Sequence, residues 1–117
     1  MSIAEPNVQS ILLGDAIEHA PAAVLVADDD GRYVAANAFA CRMLGYERAE
    51  LLELRVSDVA TDAQAEDDFE AMIARRSVAG TTRLRRKDGS DLLFEYRGGE
   101  TQVAGMTYYV AVGWPAR

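Results

Sequence analysis

Residues 23–52 read AVLVADDDGRYVAANAFACRMLGYERAELL. The small and β-branched residues at 23–28 predict a strand, and those at 32–36 predict its return. Between them lies Asp28-Asp29-Asp30-Gly31, a tetrapeptide typical of tight turns, because Gly adopts positive φ and Asp hydrogen-bonds its own backbone. The stretch therefore opens with a β-hairpin.

Helices follow this hairpin. Asn37 stands where a helix N-cap belongs, since its side-chain oxygen can accept a backbone N–H two or three residues on. The helix that it opens is predicted to end at Gly45, a suitable residue for the left-handed conformation after a helix. A second short helix is predicted over residues 48–54.

Upstream, residues 7–20 predict a helix that ends before Pro21. Val8, Ile11, Leu12 and Ala16 recur at spacings of three and four, which is typical of an amphipathic helix. Such a helix at a chain end needs a surface on which to bury its apolar stripe.

Downstream, Thr61-Asp62-Ala63-Gln64 predicts a capping box that opens a helix over 62–77. Strands are predicted at 80–87, 91–97 and 106–114, with a hairpin turn at 87–90 that contains Gly89. We expect Gly98 and Gly99 to loosen or bulge the second of these strands. This order predicts an α+β domain, with one antiparallel sheet covered by helices on one face.

Composition bounds the function. The chain has 117 residues, half of them hydrophobic, which suits one domain with a substantial core. One Cys and one His exclude an internal disulfide and a Cys/His zinc site, and they suit a cytoplasmic protein. The net charge of −7 argues against nucleic acid and anionic membrane as partners. No apolar run approaches the roughly 20 residues of a membrane span.

Four features together resemble the PAS family of small sensory modules, over roughly residues 17–112. They are the hairpin with DDDGRYVAAN, the spacing of Asn37, Phe39, Gly45 and Tyr46, the E-x-x-E-L-L of Glu47–Leu52, and the RRKDGS turn at 85–90. The resemblance implies a five-stranded sheet in the order 2-1-5-4-3. It also implies an exposed ion pair between Glu50 and Lys87.

Domain limits and partners follow from the same resemblance. We expect a helical extension at 1–20, a PAS-like domain at 21–114 and a tail at 115–117. In many family members the N-terminal helix packs on the outer sheet face or against a second copy, which implies a homodimer through Val8, Ile11 and Leu12. An effector domain or partner protein is implied as well.

Haem and a covalent flavin adduct are both disfavoured. Haem-binding family members mostly carry their axial His on or beside the long helix, whereas His19 precedes Pro21. The sequence Cys41-Arg42-Met43-Leu44 is similar to the flavin-adduct motif of the LOV subgroup. There, however, the Cys follows the Gly-Tyr block, whereas Cys41 precedes Gly45 and Tyr46. A small apolar packing residue is the alternative for Cys41.

Seven apolar residues are candidates to line the space between sheet and helices: Met43, Phe69, Met72, Ile73, Leu84, Phe94 and Val110. They either fill a closed core or form a pocket for a small, mostly apolar ligand, and the sequence leaves both open. The three consecutive Asp residues at 28–30 are interpreted as a solvated turn rather than a metal site.

No catalytic residues are assigned, because the chain has no phosphate loop, nucleophile elbow or HExxH motif. We therefore expect a sensory module that acts through contacts with partners and is not an enzyme. Two alternatives remain. One is a ligand-free dimerisation scaffold. The other is a small cone-shaped enzyme of the ketosteroid-isomerase type, which would need Tyr46, Tyr96 or Tyr108 beside a buried carboxylate such as Glu95.

Overall fold

The structure, a computed structural model, describes residues 2–61 and 77–116. Its elements are α1 Pro6–Glu18, β1 Ala23–Ala27, β2 Tyr33–Ala36, α2 Ala38–Leu44, α3 Arg48–Leu51, α4 Val56–Val59, β3 Ser77–Arg85, β4 Asp91–Val103 and β5 Met106–Pro115. The capping box and helix predicted over 61–77 fall outside the described residues, except for Thr61 and for Ser77, which begins β3.

The five strands form one antiparallel sheet in the order β2-β1-β5-β4-β3, which confirms the predicted topology. The turn between β1 and β2 has the predicted chemistry. Asp28 Oδ1 accepts the backbone N–H groups of Asp30 and Arg32, both at 3.0 Å, and Gly31 has a φ of 80°. The first hairpin is therefore fixed by its own turn residues.

The strand β4 is longer than predicted. It runs for 13 residues, and Gly98 and Gly99 pair in continuous register with Ala111 and Val110 of β5. The expected bulge at these glycines is wrong, because ladder partners on β3 and β5 hold the backbone extended on both sides. The irregularity in the sheet lies between Val26 and Ala27 instead.

The face of the sheet that the helices cover, here called the inner face, carries the core. Alternate residues of the strands point to it and are buried, as period-2 alternation predicts. Helices α2, α3 and α4 bury apolar side chains against them. The core contains Ala23, Leu25, Ala27, Tyr33, Ala40, Leu44, Leu51, Val59, Leu84, Leu92, Phe94, Tyr96 and Tyr109.

The opposite face, here called the outer face, carries Val110. Val110 pairs with Val26, and its neighbour Val112 pairs with Val24, whereas Tyr109 pairs with the buried Ala27. Paired residues of antiparallel strands point to the same face. The prediction that Val110 lines the space between sheet and helices is therefore wrong: β5 presents Tyr109, Ala111 and Gly113 to the inner face.

A short helix, α4, was not predicted from the sequence, and α3 is shorter than the predicted helix over 48–54. The backbone N–H of Arg55 donates to Asp58 Oδ2 at 2.8 Å, and the N–H of Val56 donates to the Gly31 carbonyl at 2.8 Å. Asp58, three residues after the N-cap residue Arg55, is the sequence signal that marks the helix.

Candidate functional site

Asn37 joins three parts of the chain. Its Oδ1 accepts the N–H of Ala40 at 3.1 Å, as an N-cap, and also the N–H of Val24 at 3.0 Å. Its Nδ2 donates to the carbonyl oxygens of Ile17 at 2.8 Å and Ala22 at 2.9 Å. The buried amide therefore links α1, β1 and α2 with one side chain.

Glu50 and Lys87 form the ion pair that the family resemblance implied, with Lys87 Nζ 2.6 Å from Glu50 Oε2. The hydrogen bond from Lys87 and the backbone N–H of Glu47 lower the pKa of Glu50. The same pairing raises the pKa of Lys87. Both side chains are well exposed, so the pair contributes to position more than to stability.

The β3–β4 turn is held against the end of α2. The N–H of Lys87 donates to the Leu44 carbonyl at 2.9 Å, and Arg86 Nε donates to the Met43 carbonyl at 3.2 Å. Gly45, with a φ of 80°, ends α2 beside this contact, and Gly89 supplies the positive φ of the turn itself. Gly45, Glu50, Lys87 and Gly89 thus meet on one side of the domain, whereas Asn37 lies at the opposite end of α2.

The predicted ligand-lining residues are partly brought together. Leu84 and Phe94 are buried on the inner face, Met43 packs against the same core from α2, and Val110 lies on the outer face. Phe69, Met72 and Ile73 lie outside the described residues. The inner residues that the structure describes are therefore Met43, Leu84 and Phe94.

Thr82 adds a polar group to the inner face. It is buried and pairs with Phe94 across the β3–β4 ladder. Its Oγ1 is the one buried side-chain oxygen or nitrogen without a hydrogen bond among the residues in the described ranges. An unpaired buried hydroxyl carries a desolvation cost, and the sequence gives no sign of it.

The predicted dimer helix leaves its apolar residues largely uncovered. Ile11 and Leu12 are 65% and 50% exposed, whereas Val8 is half-buried. Leu13 and Ile17 are also exposed, and α1 buries none of its residues. Close to this helix, a groove of about 180 Å³ runs between Gly14 and Ile17 on one side and the outer-face valines of β1 on the other.

Arg48 is a contact residue that the sequence did not reveal. Its Nη2 lies 2.5 Å from Glu18 Oε1, and its Nε donates to the Ala36 carbonyl at 3.0 Å. Because Glu18 precedes Arg48 by 30 residues, no local pattern marks the pair. Arg48 therefore connects α1 and β2 from the start of α3.

Cys41 is half-buried on α2, in a surface groove of about 430 Å³ that Arg48 also lines. Burial raises the pKa of its thiol, and the neighbouring Arg48 guanidinium opposes the rise. His19 is exposed at the C-terminal end of α1. The carboxylates of Asp28, Asp29 and Asp30 approach within 4.8 Å of one another, and Asp28 is engaged by the turn.

Glu95 and Tyr96, two of the residues considered for an isomerase-type site, lie on opposite faces of the sheet. Tyr96 is buried on the inner face, whereas the adjacent Glu95 is exposed on the outer face, where its Oε2 accepts from Trp114 Nε1 at 3.2 Å. Adjacent strand residues point to opposite faces, so this carboxylate and this phenol do not meet.

These features are those of one protein family. A PAS domain model matches residues 21–111. The chain belongs to the PAS domain family. Its fold, with the 2-1-5-4-3 sheet and short helices, is the PAS fold, and the family consists of sensory modules of signalling proteins. Among curated proteins, none matches the chain.

Solved PAS structures resemble it closely in fold. A PAS domain from a two-component sensor histidine kinase is 20% identical, with a TM-score of 0.85 over 96% of this chain and 100% of that one. The PAS domain of an HTR-like protein from Haloarcula marismortui is 22% identical, with a TM-score of 0.81 over 94% and 93%. An RNA-binding Light-Oxygen-Voltage receptor is 22% identical, with a TM-score of 0.82 over 98% of this chain and 35% of that one. At such identities the likeness shows the fold alone.

Within the described ranges, none of the helices has the length and apolar character needed to cross a membrane.

Proposed function

We propose that this PAS domain transmits its signal through protein–protein contacts, as a homodimer in which α1 pairs with a second copy. The supporting observation is that α1 exposes Ile11, Leu12, Leu13 and Ile17 and buries no residue of its own. An isolated helix of 13 residues is marginally stable in water, so α1 benefits from a surface that covers its apolar side chains.

The outer face extends this apolar surface. Leu93, Val112 and Trp114 are 45%, 39% and 45% exposed there, and Val24, Val26 and Val110 are half-buried beside them. Contiguous apolar surface of this kind marks interaction sites in soluble proteins. A second copy is the occupant we propose, and an effector domain or partner protein then receives the signal. The single Cys and acidic charge support a cytoplasmic setting without nucleic acid or membrane as partner.

Sedimentation velocity of the full chain tests the dimer. The wild type is expected to sediment as a dimer at micromolar concentration, and the double variant Ile11→Asp/Leu12→Asp as a monomer, because two charges enter the contact. Deleting residues 1–18 is expected to have the same effect. The matched control is Gln9→Asp/Ser10→Asp on the same helix, which is expected to leave the dimer intact. A monomeric wild type, or a dimeric Ile11→Asp/Leu12→Asp variant, would overturn the proposal.

We also propose that the inner face binds a small, mainly apolar ligand. The unpaired hydroxyl of Thr82, among the buried Leu84, Phe94 and Tyr96, supports this second role, since a ligand with one hydrogen-bonding group would satisfy it. Native mass spectrometry of the purified chain tests it, together with a visible absorption spectrum. A bound small-molecule mass supports the pocket, colour contradicts the expectation of no haem or flavin, and an empty dimer favours a ligand-free scaffold.

A further inference from the structure

The helix α1 is attached to the domain by polar groups at its C-terminal end. Asn37 Nδ2 donates to the Ile17 carbonyl at 2.8 Å, and Arg48 Nη2 lies 2.5 Å from Glu18 Oε1. These two contacts involve the last two residues of the helix, whereas the side chains further towards its N-terminus are largely exposed. The direction of α1 is therefore set at one end.

Both anchoring side chains also hold the domain itself. Asn37 caps α2 and bonds the backbone of β1 at Val24, and Arg48 opens α3 and donates to the last residue of β2, Ala36. Asn37 holds α1 from the start of α2 and Arg48 holds it from the start of α3, so a shift of either helix against the sheet displaces one of the two side chains that bond α1. A movement in the helical layer therefore reaches α1 directly.

We propose that Asn37 and Arg48, with the Ile17 carbonyl and the Glu18 carboxylate, form a latch that fixes α1 and releases it when α2 or α3 moves. This α1 latch rests on the proposed function, because it regulates the helix through which the two copies pair. A latched α1 is pre-organised for pairing, and a released α1 must be ordered again when the dimer forms.

Glu18 and Arg48 are 34% and 47% exposed, so the ion pair has a modest strength and the latch opens readily. An interaction of this size is expected to change the opening equilibrium of α1 about threefold. The contact is thus suited to a reversible regulatory role and unsuited to a permanent anchor.

Millisecond hydrogen exchange of the α1 amides in the full chain tests the latch. Glu18→Gln and Arg48→Gln are each expected to speed exchange in α1 about threefold. The control Arg42→Gln removes an exposed arginine of α2 and is expected to leave α1 unchanged. The charge reversal Glu18→Lys places a second cation beside Arg48 and leaves the Arg48–Ala36 contact in place, so it is expected to speed α1 exchange more than Glu18→Gln does. Unchanged α1 exchange in both Gln variants, or a reversal that exchanges no faster than Glu18→Gln, would overturn the latch.

Sedimentation of the same variants separates the latch from the dimer. If pairing through α1 is correct, Glu18→Gln raises the dimer Kd about threefold, because pre-organisation is lost. A wild type that is monomeric at every concentration, but whose α1 exchange responds to Glu18→Gln, supports the latch and contradicts the dimer. If the protein is a dimer but neither Glu18→Gln nor Arg48→Gln changes hydrogen exchange in α1, the latch is contradicted and the dimer is not.

Discussion

The phenyl ring of Phe94 lies over Gly113, so that a Cβ at Gly113 would come within 2.7 Å of Phe94 Cζ. Phe94 is on β4 and Gly113 on the neighbouring β5, both on the inner face. The ring also stacks on Tyr96, with centroids 5.8 Å apart. A glycine in the last strand is thus the complement of a large aromatic residue in the strand before it.

Gly113→Ala is therefore expected to lower the free energy of unfolding by about 2–3 kcal/mol, because the added Cβ meets both the ring and the Glu95 carbonyl. Urea unfolding monitored by circular dichroism measures it. Gly80→Ala is the matched control, since nothing lies within 4 Å of a Cβ there, and it is expected to change stability by less than about 0.5 kcal/mol. Equal effects in the two variants would contradict the steric explanation.

Asn37→Ala is expected to lower the free energy of unfolding by about 2–4 kcal/mol. The substitution removes the α2 cap and leaves the N–H of Val24 and the carbonyl of Ala22 without the side chain that bonds them. Thermal unfolding of the full chain provides the measurement. Asn7→Ala on the exposed side of α1 serves as control, with an expected change below about 0.5 kcal/mol. If Asn37→Ala destabilises the protein by no more than about 1 kcal/mol, which is typical of removing an N-cap, the contacts of Asn37 with β1 contribute no stability.

The β4–β5 turn contains a strained residue. Ala104 has a φ of 53° and is followed by Gly105 with a φ of 79°, the pattern of a two-residue hairpin turn that favours Asn-Gly. Ala104→Asn is expected to raise the free energy of unfolding by about 0.5–1 kcal/mol, since Asn tolerates positive φ better than Ala. Gly105→Ala is expected to lower it by about 1 kcal/mol. Urea titrations of both variants check the opposite signs.

The Glu50–Lys87 pair predicts a pH dependence of stability. Because the pKa of Glu50 is lower in the folded protein than its ordinary value of 4.5, its contribution is present above that value and is lost as pH falls through the folded pKa. Glu50→Gln keeps an oxygen for the N–H of Glu47 but removes the charge. The variant is expected to lose less stability than the wild type between about pH 7 and about pH 3. If the free energy of unfolding falls equally in the two proteins as the pH is lowered, the Glu50–Lys87 pair is not the source of the pH dependence.

Thr82→Val distinguishes an empty inner face from an occupied one. In ligand-free protein it is expected to raise the free energy of unfolding by about 1 kcal/mol, because an unpaired buried hydroxyl is removed. If the protein is purified with a ligand bonded to Thr82, the same change lowers stability instead. Thr81→Val, exposed on the adjacent position of β3, is expected to be close to neutral. Thermal unfolding of Thr82→Val and wild type, before and after ligand removal, shows whether the substitution stabilises or destabilises the protein.

Much of the fold was predictable because its signals are local. The turn at 28–31, the N-cap at Asn37, the end of α2 at Gly45 and the alternation of β4 all depend on residues within a few positions of one another. The element that was missed, α4, is only one turn long, and its signal is a single carboxylate at Asp58. Signals between nearby residues thus made most elements predictable, and α4 was missed because a single residue carries its signal.

The sequence by itself determined the order of elements, the turns and the caps, because those depend on backbone conformations that nearby side chains favour. Only the tertiary structure decided which face of β5 is buried. The large apolar residues Val110, Val112 and Trp114 lie outside, while Ala111 and Gly113 lie inside, because Phe94 fills the space above Gly113. Arg48 contacts Glu18, and Asn37 bonds the Ile17 carbonyl in addition to capping α2. Both contacts join residues distant in sequence, so no local pattern encodes them.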